Sequence, residues 1–176
     1  MKRVVIIGSS CSGKSTFAKQ LADKLVVTHI ELDQWHWLPD WVERPDPEFR
    51  ALVDKASSAE YWVIDGNYSV ARDIFWPRAT TIIWLNHSFP LVLYRAVTRS
   101  IHRSSTKQAL FAGNIETFRH SFFSRESIIL WVLTTFHTKR ARYVNLLASD
   151  ELRDINIIEL SGQKQVSAFL DNVKPR

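Results

Sequence analysis

Apolar residues in this chain follow two rhythms that alternate from one end to the other. Continuous apolar runs occur at Val4-Val5-Ile6-Ile7, Tyr61-Trp62-Val63-Ile64 and Ile82-Ile83-Trp84-Leu85. Such runs are too short for helices and too evenly apolar for strands with one wet face, so they predict strands covered on both sides. The pattern places five strands, at Arg3–Ile7, Thr28–Leu32, Tyr61–Ile64, Thr80–Leu85 and Asn156–Leu160. Between them the spacing turns helical. Phe17, Leu21 and Leu25 form one stripe of a helix over Lys14–Leu25, with Ala18 and Ala22 beside it. Phe49, Leu52, Val53 and Ala56 form another, opened by Asp46 as N-cap and Pro47 in the first turn. A third helix follows Ser88, a long one runs from about Arg125 to Ala148, and a short one closes the chain. Gln34 to Trp41 is aromatic and irregular, and residues 104–124 fit neither period. Strands alternating with helices predict an α/β fold on a parallel sheet covered on both faces.

With 176 residues, no linker and no internal repeat, one domain over 1–176 is expected. The composition, 45 % hydrophobic and 23 % charged, excludes a disordered chain. Cys11 is the only cysteine, which excludes an intramolecular disulfide. No apolar stretch has the length of a membrane span. Met1-Lys2-Arg3 lead directly into the first strand, leaving no room for a secretory leader and pointing to the cytoplasm. The formal charge of +5 is uneven. Between Arg95 and Arg142, nine Lys and Arg face two Glu, so that segment exceeds the net charge of the whole chain. A positive field this local predicts an anionic ligand or a nucleic-acid surface.

The chemistry is concentrated at Gly8-Ser9-Ser10-Cys11-Ser12-Gly13-Lys14-Ser15-Thr16, which satisfies G-x-x-x-x-G-K-[ST]. A strand precedes the motif and a helix follows, the context in which backbone N–H groups surround nucleotide phosphates. Lys14 is then expected on the β- and γ-phosphates and Ser15 on Mg²⁺. Asp65 ends the third strand as an apolar run closed by a carboxylate, which suits it to assist the metal. Asn86 ends the fourth, and an amide serves less well.

Asp33, just past the second strand, stands where open α/β sheets bind ligands. It is expected to orient or deprotonate an acceptor, the alternative being a turn residue that starts the aromatic loop. Arg95, Arg99 and Arg103 recur at helical spacing, and Arg119 and Arg125 flank Phe122-Phe123. Arginines that close over a transferring phosphoryl group stabilise its spread charge, so Arg95, Arg99, Arg119 and Arg125 are candidate catalytic groups. Arg72 is a candidate for a substrate phosphate or carboxylate. Lys139, Arg140 and Arg142 read as a solvated face. Trp35, Trp37 and Trp41 either wall an acceptor pocket or plug a long loop, and His36 between them has no assigned role. The histidines lack metal-ligand spacing, so any metal is expected to be Mg²⁺ arriving with nucleotide.

Gly8–Thr16, Leu32-Asp33, Trp41-Val42 with Pro45, Ile64-Asp65-Gly66-Asn67-Tyr68 and Ile83-Trp84-Leu85, in this order, resemble the small adenylate kinase-like P-loop proteins. Some of these are labelled DNA topology modulation proteins. Gly113-Asn114-Ile115-Glu116-Thr117, Arg119 and Ser124-Arg125-Glu126-Ser127 are similar to that group's basic insert. The resemblance implies a three-layer P-loop NTPase with a five-stranded parallel sheet of order 2-3-1-4-5. It also implies a lid-like helical insert at about 104–124. Asn67-Tyr68-Ser69 stands where nucleoside monophosphate kinases read aromatic-Pro-Arg, so AMP is not implied as acceptor.

The expected function is an ATP-binding kinase transferring the γ-phosphoryl group to a nucleoside, nucleotide or related metabolite, as a monomer or homodimer. The alternative is a nucleotide-dependent nucleic-acid-binding or regulatory ATPase acting on DNA topology. A GTPase is disfavoured, because Asn86-His87-Ser88 does not supply an Asn-Lys-x-Asp base reader.

Overall fold

Alternation inside the apolar runs decides which layer each residue builds. The computed structural model describes residues 1–107, 109–115 and 127–174. Its strands are β1 (Arg3–Gly8), β2 (Thr28–Glu31), β3 (Trp62–Asp65), β4 (Thr81–Leu85) and β5 (Asn156–Leu160). Its helices are α1 (Lys14–Leu25), α2 (Leu32–His36), α3 (Asp46–Ser57), α4 (Arg72–Phe75), α5 (Phe89–Thr106), α6 (Ile128–Leu147) and α7 (Gln163–Asn172). All strand pairings are parallel, in the order β2-β3-β1-β4-β5. The sheet expected from the resemblance is therefore present.

Val4, Ile6, Val63, Ile83 and Leu85 point to one face and pack with Phe17, Leu21 and Leu25 of α1 and Val166 and Leu170 of α7. Val5, Ile7, Trp62, Ile64, Ile82 and Trp84 point to the other and meet Phe49 and Val53 of α3 and Phe75 of α4, with Leu146 and Leu147 of α6 against the same core. Both cores exclude water, and each such side chain contributes roughly 1.5–3 kcal/mol on burial. A smaller core joins Val92 and Ala96 of α5 to Val132 and Phe136 of α6, with Cys11 beneath them.

Two local expectations are corrected. Asp46 is the first residue of α3 rather than its cap, with Pro45 before it and no side-chain cap bond. Asp46 and Glu48 instead lie in the first turn, where the helix dipole favours negative charge. The start of the Gln34–Trp41 stretch is not irregular. Leu32 is buried against Gly66, and the chain turns at once into α2, which holds Asp33, Trp35 and His36. Further on, α5 continues through Thr106, inside the segment expected as an insert. Asn114 then staples that segment to the aromatic loop, accepting from the Trp41 N–H at 3.1 Å and donating to the Leu38 carbonyl at 2.9 Å.

Candidate functional site

The carboxyl ends of β1, β2 and β3 hold the loop of residues 8–16, Asp33 and Asp65 on one edge of the sheet. The loop leaves β1 pressed against β4: a Cβ at Gly8 would lie 2.8 Å from the Leu85 carbonyl oxygen and 2.8 Å from Ser12 Oγ. Gly13 takes a left-handed φ of 92° immediately before α1, where a side chain would be strained. The loop thus presents backbone at the positive end of a twelve-residue helix. Ser12 Oγ is buried there with no partner among the described residues. Lys14 arcs back so that Nζ donates to the Ser9 carbonyl at 2.9 Å. Burial lowers its pKa, and the carboxylates of Asp65 and Asp33 oppose that shift. A half-buried ammonium at the positive end of α1 makes a site whose complement is a polyanion.

Asp65 is 1 % exposed and fully engaged. Its Oδ2 accepts from the Ser15 hydroxyl at 2.6 Å, and its Oδ1 pairs with His29 Nε2 at 2.6 Å. Asn86 is committed elsewhere, its amide donating to Glu159 at 2.7 Å. A hydroxyl and a carboxylate side by side suit a hard cation that keeps water and phosphate oxygens as its other ligands. Among the described residues no group of three or more His, Cys, Asp or Glu is arranged to hold a metal ion. The Ser15 hydroxyl and the Asp65 carboxylate fit Mg²⁺ carried by a triphosphate.

Asp33 lies in the first turn of α2, and its Oδ1 accepts from the Tyr68 hydroxyl. Burial and the neighbouring carboxylate both push the Tyr68 phenol pKa upward, so Tyr68 stays a donor. Tyr68 is held by rings: His36 lies tilted against it at 4.4 Å and Phe49 meets it edge-on at 5.1 Å. Trp37 packs edge-on against His36 and Trp41. His36 and Phe49 thus hold the Tyr68 ring, and through its hydroxyl Asp33, while Trp37 and Trp41 back His36.

The arginines divide. Arg95 donates to the Ser12 carbonyl and to Gln163, both at 2.8 Å, tying the loop to α7. Arg99 lies near enough to Lys14 to act on its charge, and its Nε is buried without a partner among the described residues. Arg119 and Arg125 lie outside the described residues. Arg72 lines a cleft of about 70 Å³ with Asn67, Tyr68, Ser69, Lys139 and Arg142. Lys139 and Arg142 line it from α6; Arg140 and Arg142 are exposed, as expected of a solvated face, while Lys139 is half-buried.

Several participants carry no clear mark in the sequence. His29 sits two positions before Glu31 on the same face of β2, so strand alternation places it within reach of Asp65, but no motif singles it out. Asn67 donates to the Gly8 carbonyl at 2.7 Å, joining the β3 turn to the loop. Its place after Asp65-Gly66 is a visible signal.

No family model matches the chain. A 67-residue stretch is 33 % identical to YqaC, an uncharacterised protein of Bacillus subtilis strain 168, covering 37 % of this chain and 38 % of that one. Among solved structures, the fold is similar to a shikimate kinase from Bacteroides thetaiotaomicron, at a TM-score of 0.57 and 15 % identity over 97 % of this chain and 94 % of that one. A shikimate kinase from Aquifex aeolicus gives 0.56 and 17 % over 96 % and 92 %. A gluconokinase from Sinorhizobium meliloti gives 0.52 and 16 % over 97 % and 91 %. The chain has the fold of small P-loop kinases. No helix among the described residues is long and apolar enough to cross a membrane.

Proposed function

We propose that this chain is an ATP-dependent kinase that phosphorylates a hydroxyl of a small molecule, such as a nucleoside, nucleotide or related metabolite. The observation that carries the reading is the convergence of Lys14, Ser15, Asp65 and Asp33 at one sheet edge, with Ser15 bonded to Asp65 at 2.6 Å and both acids acting on Lys14. The similarity to a gluconokinase and two shikimate kinases supports the same reaction class.

Mg·ATP would supply the transferable phosphoryl group and the metal that spreads its charge. The loop Gly8–Thr16 would bind the phosphates through backbone N–H groups. Lys14 would neutralise the β- and γ-oxygens, and Ser15 with Asp65 would hold the metal and its waters. Asp33, oriented by Tyr68, would accept the proton of the acceptor hydroxyl. That oxygen bonds to the γ-phosphorus as the bond to the β-bridging oxygen breaks, and ADP leaves. Arg95 and Arg99 would stabilise the charge on the transferring group, and Arg119 and Arg125 are proposed to close over it.

The nucleic-acid alternative draws on the basic segment, but several of its members among the described residues have tasks within the fold. Arg95 holds Ser12, Arg99 is partly buried beside Lys14, and Lys139 and Arg142 line a cleft. The test is a γ-labelled ATP assay against nucleosides, monophosphates, sugars and small acids. The wild type should phosphorylate at least one acceptor, and Lys14→Ala should reduce that rate by roughly 100- to 1,000-fold. Turnover that survives the substitution would refute the assignment.

A further inference from the structure

The cleft beside Asn67 is built unlike a pocket for a neutral polyol. Its lining brings Arg72 of α4 together with Lys139 and Arg142 of α6, three cations from two separate elements. Among the described residues none of the three forms an ion pair with a carboxylate, although Arg50, Arg78 and Arg153 all do. Arg72 lies over the Trp76 ring at 5.5 Å and Lys139 over the Trp131 ring at 4.4 Å, and Arg72 feels the neighbouring Asp73 carboxylate without pairing with it. Like charges gathered around one cleft repel, and an anion between them would relieve that repulsion.

The polar floor agrees. Asn67 donates through Nδ2 to the Gly8 carbonyl, which leaves Oδ1 buried with no partner among the described residues. An acceptor hydroxyl would satisfy that oxygen. Tyr68 lines the same cleft and its hydroxyl donates to Asp33, so one side chain links the cleft to the proton acceptor. Lys139 also lines a smaller cavity beside Ser9 and feels the charge of Lys14, which places it between the loop and the cleft. The space of about 70 Å³ is several times what one water needs and admits a carboxylate or phosphate group.

We propose that the acceptor carries a negatively charged group, a carboxylate or a phosphate, held by Arg72, Lys139 and Arg142 while its hydroxyl is presented to Asp33. The proposal rests on the kinase reading above and narrows its substrate class. A neutral sugar or free nucleoside would leave three cations unmet and would be a poor substrate.

Calorimetry can separate this idea from the kinase reading. Inorganic phosphate and glutarate are titrated into protein saturated with Mg²⁺ and a non-hydrolysable ATP analogue, so that the loop is already filled. Wild type should bind at least one of the two anions, and R72Q/R142Q should weaken that binding by about tenfold or more. The analogue itself should bind both proteins within about twofold, showing that the variant is folded and its loop intact. Analogue binding without anion binding, or anion binding indifferent to the substitutions, overturns the anionic-acceptor proposal alone. No analogue binding by wild type overturns the kinase reading. The anion titration into unloaded protein then decides the cleft by the same variant comparison. Turnover with hydroxy acids against phosphorylated alcohols distinguishes the two sources of charge. Equal kcat/KM for a neutral acceptor and its anionic counterpart would also sink the proposal.

Discussion

The Ser15 hydroxyl donates to Asp65 Oδ2 at 2.6 Å, across a sequence separation of 50 residues. The bond holds the first turn of α1 to the end of β3 and places a hydroxyl and a carboxylate where one cation could touch or approach both. His29 holds the opposite oxygen of the same carboxylate at 2.6 Å. Asp65→Asn keeps the shape, removes the charge and leaves one position an amide donor. Turnover should fall by roughly 100-fold, with a higher Mg²⁺ requirement. Metal-free nucleotide affinity should change little. Titrating Mg²⁺ in a steady-state assay checks this, and an unaltered Mg²⁺ dependence would remove Asp65 from the metal site.

Gly66 tests the geometry from a different side. A Cβ there would lie 2.7 Å from Leu32 Cβ, at a φ of 136° that side chains rarely adopt. Gly66→Ala should destabilise the fold by about 1–3 kcal/mol and displace the turn carrying Asn67 and Tyr68. Chemical denaturation measures the first effect, and acceptor KM the second.

Tyr68→Phe removes the donor that orients Asp33 and leaves the aromatic packing in place. We expect kcat to drop about tenfold with ATP KM nearly unchanged, because the proton acceptor loses its orientation and not its charge. A rise in ATP KM alone would place Tyr68 in nucleotide binding instead.

Lys139 supplies a pH signature. Burial, with Lys14 and Arg142 nearby, brings its pKa down to about 8. The cleft also faces Arg72 and Tyr143, whose phenol burial pushes up to about 12 and so keeps neutral in this range. Below about pH 8 the ammonium is charged and an anionic acceptor is held. As pH rises through that value the charge is lost, and acceptor kcat/KM should fall. Lys139→Arg keeps its charge and should abolish this inflection. The stability sign is opposite. Between about 8 and the ordinary value of 10.5 the unfolded chain retains a proton that the folded one has released, so stability should rise with pH.

Much of the frame is legible in the order of residues. Lys14–Leu25 and Asn156–Leu160 occur with the predicted bounds, since uninterrupted periodicity leaves little choice of register. The α2 turn at Leu32–His36 is not legible in that way. Its residues lack helical periodicity, and it forms because Leu32 packs against Gly66, while Phe49 and Tyr68 enclose His36. Arg142 is exposed as expected, but the half-burial of Lys139 and the place of both beside the cleft are hidden from the sequence for a related reason. Helical spacing shows which residues share a face, but only the docking of α6 against β4 and α4 shows what that face meets.

Local order alone specified the strand-loop-helix unit at Gly8–Thr16, because its glycines, lysine and hydroxyls act through backbone geometry spanning nine neighbouring positions. It also specified the two-faced strands, because a period of two is a property of any extended chain. The pairing of His29, Ser15 and Asp65, the Tyr68 grip on Asp33 and the meeting of Arg72 with Lys139 and Arg142 were decided only in three dimensions. Each joins residues on different elements, and their distance depends on sheet order and helix docking, which the spacing of residues along one element does not encode.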